Sequence, residues 1–192
     1  MELITGIRRA KIAMILGMLV FPLYTHGEVA DADDKIDQAR AKAMALGGTL
    51  KNALQNAIKA GGIENGITVC HDVAGSLAAQ ISDENWEVGR TSLKVRNPDN
   101  EPEPWASTTL HDFARQLSQD PSHIPEATYQ DPQSGRFTYL RAIVMQPLCM
   151  ACHGDNISAN VTKRIQALYP GDQATGFKVG ELRGAFIVTY TP

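Results

Sequence analysis

The run Cys149-Met150-Ala151-Cys152-His153 constrains this chain more than any other stretch, because its chemistry dictates what the surrounding fold must enclose. C-x-x-C-H is the signature of covalent haem attachment. Two thiols three positions apart add to the two vinyl groups on one edge of a haem. The adjacent imidazole is then carried under the ring, where its Nε2 can ligate the iron as the proximal ligand. A C-x-x-C alone is weak, since redox dithiols and half zinc sites share it; the immediate His narrows the choice. The motif occurs once, so one covalent haem c is expected.

The N-terminus supplies context. Arg8, Arg9 and Lys11 precede an apolar run from Ile12 to Leu23, followed by a polar, small-residue stretch from Tyr24 to Ala32. That is the three-part layout of a secretory signal peptide. The apolar run is too short for a spanning helix, which needs about 20 residues. Cleavage after Gly27 or Ala32 suits a small-residue rule, so residues 1–30 are read as signal and 31–192 as one exported domain. The alternative is an uncleaved anchor. Both place the folded part outside the cytoplasm, periplasmic in a bacterium, with no transmembrane span in the mature chain.

Loss of residues 1–30 moves the formal charge from −3 to −4. A nucleic-acid partner would need a clustered basic face, and the mature part has no Lys/Arg run. No output module such as a kinase or coiled coil follows, so any signal has to pass to a separate partner: a redox protein or a membrane transducer.

Of the three cysteines, the motif uses two and leaves Cys70 unpaired in an oxidising compartment. Cys70 is either a buried inert thiol, packing as a small hydrophobe, or the second axial ligand of the iron. Cys70, Val73 (or Ala74) and Leu77 recur at helical spacing and share one inward face. His71 is offset by about 100° from Cys70 and points elsewhere.

Along the chain, 31–60 reads as one long helix, with Ile36, Ala43, Leu46, Leu50, Leu54 and Ile58 at three- and four-residue steps. Gly61-Gly62 stops it, Gly47-Gly48 is a candidate kink, and Cys70 opens a second helical segment. Val88–Val95 reads as a strand, and Arg96–Pro102 is dense in turn formers. Pro104 begins a helix carrying Trp105, Leu110, Phe113 and Leu117. A hairpin turns at Asp131–Gly135, its outgoing strand running from Arg136 to Met145. Ser158–Leu168 is a short helix and Gly184–Tyr190 a final strand. The order predicts an α+β fold with an antiparallel sheet. The late position of the motif, with no Met after His153, differs from small soluble cytochromes c; the strands oppose a four-helix bundle.

The block Gly89-Arg90-Thr91-Ser92-Leu93-Lys94-Val95-Arg96-Asn97-Pro98-Asp99-Asn100, followed by Trp105, resembles the Tll-type haem-domain family. The likeness continues through Pro147, Cys149 to Gly154, Gly171-Asp172, Gly176, Gly180 and Gly184, and spans residues 35–190. It departs at Ala106, where many relatives have Glu after the Trp. The resemblance implies a PAS-like antiparallel sheet with flanking helices and one covalent haem with His and Cys axial ligands. The positions that match are His153 and Cys70.

Arg90 and Arg96 are candidate partners for haem propionates, since guanidinium forks bind carboxylates bidentately. The plainer alternative is that both satisfy loop carbonyls. His111 and His123 read as surface residues. Three functions fit: one-electron transfer, redox sensing (or sensing of carbon monoxide or nitric oxide), and a peroxidase-type enzyme. A thiolate in the second axial position argues against the enzyme, which needs that position open.

Overall fold

The computed structural model describes residues 26–192, with side chains from residue 32 onward. The basic and apolar parts of the expected signal peptide lie outside the described residues. Among the described residues no helix is long and apolar enough to cross a membrane.

The chain begins with α1, His26–Ile81, helical except at Gly61 (φ −157°, ψ 20°) and Gly62 (φ 82°, ψ −176°). Gly62 takes a positive φ that side chains resist, and the helix reverses there. Asn65 Nδ2 donates to the Ala57 carbonyl at 2.8 Å, and Lys42 Nζ to the Ile81 carbonyl at 3.2 Å, so the two arms (26–60 and 63–81) lie side by side. The expected stop is therefore in place, but the second arm starts well before Cys70. That residue sits inside the arm rather than at its start. The expected kink at Gly47-Gly48 is absent; the helix runs through. A Cβ on Gly47 would lie 2.9 Å from Phe186 Cζ, so the residue is small to let the helix approach the sheet.

Four strands follow: β1 (Trp86–Thr91), β2 (Glu126–Gln130), β3 (Phe137–Val144) and β4 (Leu182–Tyr190). They form one antiparallel sheet in the order β1-β4-β3-β2. The strand expected over 88–95 starts two residues earlier and stops at Thr91. Ser92 ends it: its N–H turns to the Asn100 carbonyl (3.1 Å) and its Oγ donates to the Arg183 carbonyl (2.7 Å).

The two sheet faces bury different helices. Ala39, Ala43 and Leu46 of the first arm pack on Trp86, Val88, Phe137, Tyr139 and Val188. On the opposite face α2 (Pro104–Gln119) presses Ala106, Leu110, Phe113 and Leu117 onto Leu140, Ala142 and Ala185. Each large apolar side chain so buried contributes about 1.5–3 kcal/mol. Pro104 stands at the first turn of α2, as expected. Ala106, where the chain departs from the family pattern, is fully buried in this layer. The α+β fold with an antiparallel sheet, flanking helices and a long N-terminal helix is the one expected.

The C-x-x-C-H run lies between β3 and α4. A 3-10 turn, Pro147–Cys149, leads into the short α3, Met150–His153. Then α4, Ala159–Leu168, capped by the Ser158 side chain, rests Val161 and Ile165 on Ile67 of the second arm.

Candidate functional site

Cys149 and Cys152 are separated by one helical turn and face different neighbours. Cys149 and Met150 pack against Met145, Ala174 and Phe177. Cys152 packs with Ile67, Val161, Ile165 and Tyr169 beneath the second arm of α1. The loop 172–181 holds the motif by its backbone: Phe177 N–H donates to the His153 carbonyl at 3.0 Å and Gly176 N–H to that of Gly154 at 2.9 Å.

His153 shows how that loop sets chemistry. Its Nδ1 lies 2.7 Å from the Ala174 carbonyl oxygen. A carbonyl only accepts, so Nδ1 carries the proton and Nε2 keeps a bare lone pair. Burial, with Arg183, Arg96 and Arg90 adding to it and the Ala174 bond opposing, pushes the imidazole pKa down to about 2. The ring is neutral at any ordinary pH. Phe177 stands edge-on to it, centroids 6.5 Å apart. This is the form in which a His ligates a metal, oriented by a carbonyl behind it.

Arg96 ties three distant segments together. Its Nε and Nη2 grip Asp172 Oδ1 and Oδ2 at 3.0 and 3.1 Å, and Nη2 also donates to the Cys152 carbonyl at 2.7 Å. Both side chains are nearly buried, at 12% and 8% exposure. So Arg96 satisfies a carboxylate of this chain and a carbonyl of the motif itself. The sequence blocks around Arg96, Cys152 and Asp172 are separated along the chain and meet here.

Cys70 lines a cavity of about 420 Å³ between the second arm, β1 and the loops 96–100 and 168–171. Ala74, Ala78, Arg90 and Tyr169 share its wall. Burial pushes the Cys70 thiol above its ordinary value, against the pull of Arg90 and Arg96. Burial likewise raises the Cys152 thiol, with Cys70 among the charges it feels. Arg90 is the distinctive wall residue. Its guanidinium makes no hydrogen bond or ion pair among the described residues, and burial lowers its pKa while Cys70 and Tyr169 support its charge. Cys149, Cys152 and His153 do not line this cavity, but Arg96, bound to the Cys152 carbonyl, and Tyr169, which packs on the same apolar cluster as Cys152, do.

The site residues expected from sequence thus form one neighbourhood. His71 behaves differently from expectation in one respect. It is exposed and its Nδ1 meets Asp72 Oδ1 at 2.8 Å, yet its ring borders the cavity mouth, edge-on to Tyr169 at 5.1 Å. His111 and His123 are exposed on α2 and in the following loop. Sequence reasoning passed over Tyr169, Phe177 and Arg183. For Arg183 a signal was present: a lone cation within the apolar run of β4.

These residues fit a haem in their donor set. There is a neutral imidazole with Nε2 free, two attachment thiols, a third thiol across a cavity, and an uncommitted guanidinium for a carboxylate.

The family model described as Tll0287-like matches residues 26–191. A solved structure, that of the cyanobacterial haem protein Tll0287, is similar with a TM-score of 0.55 and 25% identity, over 87% of this chain and 96% of that one. No curated protein matches the chain.

Proposed function

Because the chain belongs to the Tll0287-like family, we propose that it is an exported monohaem c-type protein of residues 31–192, working in redox sensing or one-electron transfer rather than as an enzyme. Cys149 and Cys152 would hold the haem covalently, and His153 Nε2 and Cys70 would be the two ligands of its iron. The observation that carries this reading is the 2.7 Å contact from His153 Nδ1 to the Ala174 carbonyl, which leaves Nε2 bare within a turn of both thiols. Bound there, the haem supplies a one-electron ferric–ferrous couple whose ferric side an anionic sulfur favours.

The chain's own residues set the rest. Arg90, on the same cavity wall, offers a counter-charge to the Cys70 thiolate or to a propionate. Arg96 is engaged by Asp172, so Arg90 is the better propionate partner. Cys70 is a thiol unless the metal displaces its proton, since ligation requires the deprotonated form. With haem bound, a Cys70 that took up a proton from solvent and left the iron would open a place for carbon monoxide or nitric oxide and give a two-state element that a partner can read.

Expression of the full chain with a haem-maturation system tests the attachment. The haem should stay on the polypeptide through denaturing electrophoresis; extraction into acid acetone from correctly processed protein would overturn it. N-terminal sequencing of periplasmic material should find a start between Glu28 and Asp33. Redox titration with optical and electron paramagnetic resonance spectra tests the ligand set.

A further inference from the structure

We infer that this protein carries a second ligand site, for a small monocarboxylate with an apolar body. It lies in the groove between the C-terminal half of α2, residues 92–94, the loop 177–181 and the start of β4. The groove encloses about 620 Å³ and shares no lining residue with the Cys70 cavity. Its floor is apolar: Leu93, Leu117, Phe177, Val179 and Leu182. Its polar end is cationic, formed by Lys94 and Arg183.

Arg183 carries the argument. Nη1 donates to Ser92 Oγ at 2.9 Å and to the Lys94 carbonyl at 3.2 Å, which fixes the guanidinium. The Nε/Nη2 edge makes no hydrogen bond among the described residues. That edge is the one that receives a carboxylate in parallel, and this molecule provides its own example, since Arg96 uses the same pair of nitrogens on Asp172. Arg183, which lines the groove, therefore has half of its fork anchored and the carboxylate-binding half without a hydrogen-bond partner among the described residues. Lys94 Nζ and the Arg183 guanidinium both stand over the Phe177 ring, at 4.9 and 5.6 Å from its centroid. The acid on the wall, Glu181, is turned to the Lys178 N–H at 2.9 Å rather than to either cation.

Charge and lining together select the ligand class. Two cations at one end of an apolar groove favour a single anionic head with a hydrocarbon or aryl body, and burial of Arg183 raises the cost of leaving that charge uncompensated. Burial and the neighbouring Arg96 and Arg90 already lower its pKa to about 10. Because Phe177 also packs against His153, a bound anion would sit one side chain from the motif. Binding itself does not depend on the haem reading; a shift in reduction potential on binding does.

The test is isothermal titration of the full-length, haem-loaded protein with benzoate, and with benzamide as the neutral analogue. Benzoate should bind saturably and benzamide at least about tenfold more weakly, the scale of one lost charge-assisted pair. Arg183→Gln should weaken benzoate by at least about tenfold, and Arg183→Lys, which keeps the charge without the fork, should recover it only in part. If Arg183→Gln fails to fold, a second measurement on the unaltered protein decides: benzoate should protect Arg183 from an arginine-specific dicarbonyl reagent, read by peptide mass. Absent binding, equal affinity for the two probes, or unprotected Arg183 overturns the site. So does an Arg183→Gln variant that binds benzoate normally but loosens the haem, because Arg183 would then serve the cofactor. Benzoate binding without a change in reduction potential would leave the site standing and count against the haem assignment of His153.

Discussion

The α2 side of the sheet and the region around the Cys70 cavity are made of the same materials, a helix over strands, yet they are finished differently. Under α2, Ala106, Leu110, Phe113, Leu117, Leu140, Ala142 and Ala185 close into a layer without a charged group. Around the cavity, the second arm meets β1 across open space, Arg90 and Arg96 enter its wall, and Arg183 lies close by beside the motif. Among the described residues Arg96 is paired with a carboxylate, Arg183 bonds only a hydroxyl and a carbonyl, and the Arg90 guanidinium has no hydrogen-bond partner. The first region is built to be stable. The second tolerates unpaired charge and unfilled volume, which a chain retains where something else is to be bound.

That contrast can be broken by mutation. The largest stability effect should come from Asp172→Ala, which strands the Arg96 charge in a nearly buried setting. About 3–5 kcal/mol should be lost, read by urea denaturation, and a loss below about 1 kcal/mol would mean the motif is held some other way. Next is Leu110→Ala, expected to cost about 2–5 kcal/mol through a cavity under α2. Its spectrum per folded molecule should match the parent; a changed haem spectrum would show that the two regions are coupled.

Cys70→Ser should change stability by no more than about 1 kcal/mol and change spectroscopy outright. Ferric haem should lose the narrow g-spread of thiolate–imidazole ligation, become high-spin or water-ligated, and rise in potential. An unaltered spectrum would move the distal ligand elsewhere, with His71 at the cavity mouth the first to test. The smallest effect belongs to Arg115→Ala, which removes an exposed partner of Asp112 on the outer face of α2. A change within about 0.5 kcal/mol by thermal melting is expected, so that a larger one would give surface charge a role the contrast denies it.

Local chemistry made much of this legible in the sequence. The hairpin at Asp131–Gly135 was readable because Asp131 Oδ1 caps the turn through the Gln133 and Ser134 N–H groups. The helix reversal at Gly61-Gly62 and the Pro104 start were readable for the same reason. What failed depends on partners far along the chain. Trp86 begins a strand because Tyr190 lies opposite it, and Thr91 ends one because Ser92 bonds to Arg183. In the site, Cys149, Cys152 and His153 stand out by their spacing, whereas Cys70 stays open between inert thiol and ligand until the family resemblance is added. The roles of Arg90 and Arg96 were not separable, because Asp172, which distinguishes them, is 76 positions from Arg96.

The sheet order has a consequence in time. Strand β4 lies between β1 and β3, yet it is the last strand to be synthesised. Until residues 182–190 arrive, β1 has no neighbour in the sheet, and the loop that grips the motif has no strand to anchor it. Pairing of such remote segments is slow. The chain therefore passes through a stage in which its helices exist but Cys149 and Cys152 stand open.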